Sequence, residues 1–241
     1  MTSKDQLFDK PQPKVRPFEF NEAVARVFPD MIERSVPGYR LLIEMTPLII
    51  KRAVRPDSHI YDLGCSLGAA TLAARRAVSV PGVRIIGVDN APDMVKRCRM
   101  AIAEDNSSVP VDIIEDDITQ TPIGNASVVM LYFTLQFVPP EQRFGVLKTI
   151  YDGLQPGGTL LLAEKLAFDP DQQAWMDDHH VEFKKAQGYS DLEIAQKRQA
   201  IENVLIPQSQ DSHQKALNKA GFSRCYRWFQ ALNFACFVAI K

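Results

Sequence analysis

The sequence predicts an α/β protein: a doubly wound, mostly parallel seven-stranded sheet with an antiparallel C-terminal strand pair and a helical insertion. Three observations predict it. After residue 54, short apolar runs alternate with helix-forming segments, the pattern of βαβ units with right-handed crossovers. The small residues Gly64-Cys65-Ser66-Leu67-Gly68 follow the first apolar run at once and lead into a helix-forming stretch. The chain closes on two strand-like runs, Arg224–Gln230 and Phe234–Ile240.

The first twenty residues read as a loose arm. Asn21–Arg34 and Tyr39–Val54 follow as helices, separated by the Pro37-Gly38 break. Ile60–Leu63, Val83–Val88, Val111–Ile114, Ser127–Phe133 and Thr159–Ala163 read as strands. Helices start at Ala69, Pro92 and Pro140, and a first helical turn tolerates proline. Leu154-Gln155-Pro156-Gly157-Gly158 marks a helix end and a sharp turn. Asp169–Leu205 is a polar helical insertion, and Gln214–Ala220 is the last helix. The whole chain, 1–241, reads as one cofactor-binding domain, with the arm and first helices in 1–56 and the insertion in 169–206.

Composition narrows the function. With 46% hydrophobic and 24% charged residues the chain has material for a core. A net charge of −1 carries no electrostatic footprint for nucleic acid, so a small ligand is expected. Cys65, Cys98, Cys225 and Cys236 lack metal-ligand spacing and read as reduced, mostly buried thiols; no metal site is expected. Met1–Lys14 is polar and carries Pro11 and Pro13, unlike a signal peptide. The apolar run Leu41–Ile50 is broken by Glu44 and Pro47 and is too short to span a bilayer. A cytoplasmic, membrane-free location is expected.

The chemistry-bearing residues fall at the ends of the expected strands, where open α/β sheets bind ligands. Asp62-Leu63-Gly64-Cys65-Ser66-Leu67-Gly68 gives a strand, a tight loop and a helix N-terminus, which holds a nucleotide cofactor against backbone N–H groups. Asp89, 25 residues past Gly64, ends the second strand, near the spacing at which a carboxylate reaches ribose hydroxyls, and Asn90 adds a polar side chain. Asp117 ends the third strand, placed to accept from an adenine amino group while Ile118 packs on the ring. Either aspartate equally suits a helix N-cap. The all-glycine Gly-x-Gly-x-x-Gly of NAD enzymes is absent. Gly64-Cys65-Ser66-Leu67-Gly68 also satisfies the Gly-x-Ser-x-Gly of a hydrolase elbow, but the preceding strands that an elbow needs are missing.

No motif names a catalytic base. Leu131-Tyr132-Phe133-Thr134 stands where base-nitrogen methylating enzymes carry Asp/Asn-Pro-Pro-Tyr. His179 and His180 are adjacent, so they do not form a metal pair and read as a surface pair. Ser190-Asp191-Leu192-Glu193 is a capping box that opens a helix running to about Leu205. Arg198 lies along the edge of its Ile194/Ile201/Leu205 stripe, with Lys197 on the other side. Its guanidinium either snorkels to water or meets an anion.

The Asp-x-Gly-x-Ser-x-Gly loop and the closing strand pair resemble the S-adenosylmethionine-dependent methyltransferase (Rossmann-like) fold. A more specific resemblance is to the carboxy-S-adenosylmethionine synthase family. It rests on Phe28-Pro29-Asp30-Met31-Ile32, Arg34–Tyr39, Tyr61–Leu72, Phe133–Phe137, Glu164-Lys165, Gly188-Tyr189-Ser190, Gln196-Lys197-Arg198, Glu202-Asn203-Val204 and Trp228–Gln230 with Asn233-Phe234. The resemblance implies carboxyl transfer from prephenate to S-adenosyl-L-methionine, giving carboxy-S-adenosyl-L-methionine and phenylpyruvate. It also implies a homodimer and a partner enzyme that uses the product on a tRNA wobble uridine. By resemblance, Tyr39, Gly64, Cys65, Ser66, Asp89, Asn90, Asp117 and Ile118 contact the cofactor, and Arg198, from the same subunit or from the neighbouring subunit of a dimer, holds the new carboxylate. Prephenate's loss of carbon dioxide and hydroxide supplies both carbon and base, so no protein base is implied. Two positions depart from the family pattern: Tyr132 replaces an Asn near the reacting end of the cofactor, and Thr119 replaces a frequent Arg.

Overall fold

Eight strands and eight helices follow from the alternation, and a computed structural model describes them over residues 3–241. The strands are β1 (His59–Leu63), β2 (Arg84–Asp89), β3 (Val111–Glu115), β4 (Ala126–Tyr132), β5 (Leu154–Ala167), β6 (Gln208–Ser209), β7 (Arg224–Ala231) and β8 (Phe234–Ile240). Their order is β3-β2-β1-β4-β5-β8-β7, with the two-residue β6 beside β5. The first five run parallel, and β8 is antiparallel to both of its neighbours. The seven-stranded path matches the expectation; β6 was too short to carry a periodic signal.

The helices are α1 (Glu22–Ser35), α2 (Tyr39–Ala53), α3 (Ala69–Ala77), α4 (Pro92–Glu104), α5 (Pro140–Gly153), α6 (Pro170–Ala186), α7 (Asp191–Ile201) and α8 (Gln210–Ala220). They cover both faces of the sheet, which is why β4 reads as a continuous apolar run. Alternation sorts its side chains. Val128 and Met130 pack with Ile60, Ile85, Ile50 and Ala74 under α2 and α3. Val129 and Leu131 pack with Leu147, Ile150 and Leu217 under α5 and α8.

Several boundaries differ from expectation. β5 starts at Leu154 rather than Thr159, because Leu154 pairs with Ala126 before the register shifts and Gly157 turns at φ +72°. The expected sharp turn is therefore an irregularity inside a strand. Helix α7 stops at Ile201 rather than near Leu205; Ile206 N–H donates to Gln136 O at 3.0 Å and draws the chain toward the loop after β4. Helix α8 begins four residues earlier than expected, where the Ser209 side chain caps it.

The first twenty residues are not loose. Asp5 is 1% exposed. Its N–H donates to Asp30 at 2.7 Å, and its carboxylate accepts from Tyr189 and faces Lys197 Nζ at 3.5 Å. Phe18 is buried against Val24, Met31 and Ala200. A polar segment stays in place here because buried charges need partners. His180 also departs from the surface reading. It is 6% exposed, and its Nε2 lies 2.8 Å from Ser35 O.

Candidate functional site

A cavity of about 630 Å³ opens beyond the C-terminal ends of β1, β2, β3 and β4 and runs under α1, α6 and α7. That size lies within the ~300–1,000 Å³ typical of small-molecule sites. All ten residues singled out from the sequence line it: Tyr39, Gly64, Cys65, Ser66, Asp89, Asn90, Asp117, Ile118, Tyr132 and Arg198.

The loop after β1 is built by backbone geometry. Gly64, Ser66 and Gly68 have φ of +80°, +50° and +85°. A Cβ on Gly64 would lie 2.5 Å from Thr134 Cγ2, so the position is fixed by conformation and by the close approach of the loop after β4. Gly64 and Cys65 N–H both donate to Val88 O, at 2.7 and 2.9 Å. Ser66 N–H donates to Asp89 Oδ2 at 2.8 Å, and Ala91 N–H to Asp89 Oδ1 at 2.9 Å. Asp89 thus ties the two loops together rather than capping α4, whose N-cap Ala91 makes no side-chain bond. Burial raises its carboxyl above the usual range, against the pull of those two N–H groups. Asp117 accepts from Thr119 N–H at 2.8 Å in a local turn and remains exposed.

Ser66 Oγ donates to Met94 Sδ at 3.7 Å, and His180 Nε2 is spent on Ser35 O, so the loop holds no serine–histidine pair. Asp62 was not singled out, although it opens the motif. It is 1% exposed and accepts from Thr71 Oγ1 at 2.5 Å. Burial pushes its carboxyl up to about 6, with the Thr71 bond opposing and Asp89 adding to the rise.

The other end of the cavity is aromatic and cationic. Tyr132 sends its hydroxyl to Thr46 Oγ1 in α2, at 3.0 Å, and keeps its ring in the wall. The bulkier residue is accommodated by α2, and burial raises its phenol. Burial likewise raises the Tyr39 phenol, with Asp62 adding. Arg198 remains largely exposed at the rim, its Nη2 3.7 Å from Asp177 Oδ2.

Lys165, Lys184, Lys197 and His180 also line the cavity and were missed or given no role. Asp177, His180 and Lys184 follow a 3–4 spacing that shares one helix face. That is the signal by which they could have been found. Burial drives His180 down to about 3, so its imidazole is neutral. Burial lowers Lys184 to about 7, with Lys197 and Lys165 adding to the shift, and lowers Lys197 to about 8. Among the described residues, no cluster of His, Cys, Asp or Glu is arranged to hold a metal, and no helix is long and apolar enough to cross a membrane.

A protein from Pasteurella multocida (strain Pm70) described as "Carboxy-S-adenosyl-L-methionine synthase" is 51% identical over 240 residues, covering 99% of this chain and all of that protein. One from Trichlorobacter lovleyi, with the same description, is 52% identical over the full length of both. The chain belongs to the carboxy-S-adenosyl-L-methionine synthase family. A family model described as "Methyltransferase domain" matches residues 60–158 of this synthase-family chain. Solved structures agree on the fold. The apo S-adenosylmethionine-dependent methyltransferase SibL aligns with TM-score 0.61 at 17% identity, over 91% of this chain and 58% of its own. Magnesium protoporphyrin IX methyltransferase from Synechocystis PCC 6803, with bound SAM, aligns at 0.59 and 14% identity, over 88% and 84%.

This synthase-family protein is an enzyme that uses S-adenosyl-L-methionine, and its donor set fits that group. Carboxylate and amide acceptors at the ends of β2 and β3 suit ribose hydroxyls and amino groups. The carboxyl groups of Asp62 and Asp89 lie in the same cavity, where a cationic sulfonium would favour their charged forms.

Proposed function

We propose that this protein transfers a carboxyl group from prephenate to S-adenosyl-L-methionine, releasing phenylpyruvate and carboxy-S-adenosyl-L-methionine, and that the product serves an enzyme modifying a tRNA wobble uridine. The observation that carries this reading is Arg198. Its guanidinium lines the cavity while making one long contact, at 3.7 Å. A fork so placed is free to pair with a carboxylate through two hydrogen bonds. Full-length relatives described as carboxy-S-adenosyl-L-methionine synthases support the same product.

In this reading Asp89 and Asn90 accept from the ribose, Asp117 and Ile118 bracket the adenine, and Gly64, Cys65 and Ser66 present backbone to the amino-acid portion. Tyr39 and Tyr132 wall the methyl group, and Arg198 takes the new carboxylate. Prephenate becomes aromatic on losing carbon dioxide and hydroxide. The hydroxide removes a proton from the sulfonium methyl, leaving water, and that carbon bonds to the carbon dioxide. No protein base is needed. The neutral His180 and the Thr71-bound Asp62 are consistent with a site that positions reactants and excludes water. The enzyme acts as a homodimer in this reading.

The test is turnover of S-adenosyl-L-methionine with and without prephenate, followed by mass spectrometry. Carboxylated product and phenylpyruvate should appear together, and only with prephenate. Methyl transfer to an acceptor in its absence would return the protein to ordinary methyltransferase chemistry.

A further inference from the structure

The insertion end of the cavity holds more positive charge than the fold neutralises. Lys197 and Arg34 are balanced inside the protein: Lys197 Nζ lies 3.5 Å from Asp5 and 2.9 Å from Ser35 Oγ, and Arg34 pairs with Asp30 at 3.0 Å. Lys165, Lys184 and Arg198 are not. They come from β5, α6 and α7 and face one carboxylate, Asp177, which Gln173 already engages at 3.0 Å. Neither the Lys165 nor the Lys184 ammonium makes a hydrogen bond or ion pair with any described residue, though both side chains are mostly withdrawn from water. Three basic side chains thus face a single carboxylate.

Such an arrangement costs the ligand-free protein stability, because a desolvated ammonium without a partner is unfavourable. It is retained where an anion completes it. Phe133, Phe234 and Val181 line the same end and offer apolar surface beside the cations. A compact apolar ring bearing two carboxylates matches both features.

We propose that Lys165 and Lys184 form, together with Arg198, a subsite for the two carboxylates of a dicarboxylate co-substrate, prephenate in the reading above, on which this inference rests. The subsite lies across the cavity from Asp89 and Asp117. The co-substrate and the sulfonium end of the cofactor therefore meet between the two groups, beside Tyr39 and Tyr132.

The experiment uses the full-length protein and the variants Lys165→Met, Lys184→Met and Lys184→Arg. Prephenate is titrated calorimetrically into protein saturated with S-adenosylhomocysteine, which cannot be carboxylated. S-adenosylhomocysteine is titrated alone, and turnover of the unmodified protein is measured in parallel. Each Met variant should lose roughly tenfold or more in prephenate affinity, the size of a lost charged hydrogen bond. S-adenosylhomocysteine affinity should stay within about twofold, and Lys184→Arg should retain most prephenate binding. The ligand-free Met variants should melt higher than the parent, whereas lysines that merely hold the fold would give lower melting temperatures.

Unchanged prephenate affinity in both Met variants, in a protein that forms carboxylated product, overturns the subsite and leaves the proposed function standing. Equal losses for prephenate and S-adenosylhomocysteine also overturn it, placing the lysines on the cofactor's own carboxylate. A parent protein that binds S-adenosylhomocysteine but neither binds prephenate nor makes product overturns the function and the subsite together.

Discussion

Replacing Asp89 by Asn isolates the hinge of the cofactor end. Asp89 accepts Ser66 N–H at 2.8 Å and Ala91 N–H at 2.9 Å, one on each carboxylate oxygen, and each oxygen keeps a lone pair for the cavity. Asn retains one acceptor and turns an NH2 toward the other N–H. One charge-assisted hydrogen bond is therefore lost within the loops, worth about 1.5–3 kcal/mol. A ribose that would give both hydroxyls to the carboxylate keeps at most one such bond, a further loss of about 1.5–3 kcal/mol on the ligand. Calorimetric titration with S-adenosylhomocysteine should thus show affinity weakened roughly 10- to 150-fold. A thermal melt on the same sample reports the loop contribution separately. Asp89→Ala, which removes every acceptor, should weaken S-adenosyl-L-methionine and the carboxylated product alike. If Asp89→Asn binds within about twofold of the parent while melting lower, Asp89 is only a loop tie, and the ribose assignment is refuted.

Three other perturbations probe separate parts of the account. Arg198→Ala should weaken carboxy-S-adenosyl-L-methionine at least tenfold more than S-adenosyl-L-methionine, by direct titration, a differential expected of a lost carboxylate fork at about 1.5–3 kcal/mol; equal losses would make Arg198 a rim residue. Gly64→Ala combines a φ of +80° with a Cβ forced against Thr134. It should cost about 2–5 kcal/mol in urea unfolding, and Thr134→Ala should recover part of it. The third is pH dependence. Burial holds Lys184 at about 7, below its ordinary 10.5, amid Lys165, Asp177, His180, Lys197 and Arg198. Between those pH values the unfolded chain binds a proton the folded chain does not, so this lysine's penalty is full below about pH 7 and fades as pH rises toward 10.5. The melting advantage of Lys184→Met over the parent should therefore be largest near pH 6 and shrink by pH 9; an advantage independent of pH would mean that the lysine's charge is not its source.

Much of the sheet was legible because it is buried on both faces, so strands such as β4 announce themselves as unbroken apolar runs. The cofactor end was legible for a related reason. Asp89, Asn90 and Asp117 each follow such a run directly, and the topology carries them to one edge. The insertion was harder. Helix α6 is polar nearly all round, with His180 as its one buried residue, so Lys184 had no apolar stripe to be measured against. Lys165 stands just past the run Leu160–Ala163, where a lysine reads as a strand end reaching water. The arm was misread because its anchors are long-range and polar. Asp5 meets Tyr189 and Lys197 more than 180 positions away, a contact no local pattern records. Tyr132 shows the same limit: its partner Thr46 is 86 residues distant.

Mass spectrometry of the small molecule released on denaturing the freshly purified protein tests the central claim most directly. The account predicts a species heavier than S-adenosyl-L-methionine by one carboxyl group, held by Arg198 at one end and by Asp89 at the other. S-adenosyl-L-methionine or S-adenosylhomocysteine alone, from a protein that also forms no carboxylated product when given prephenate, would contradict it.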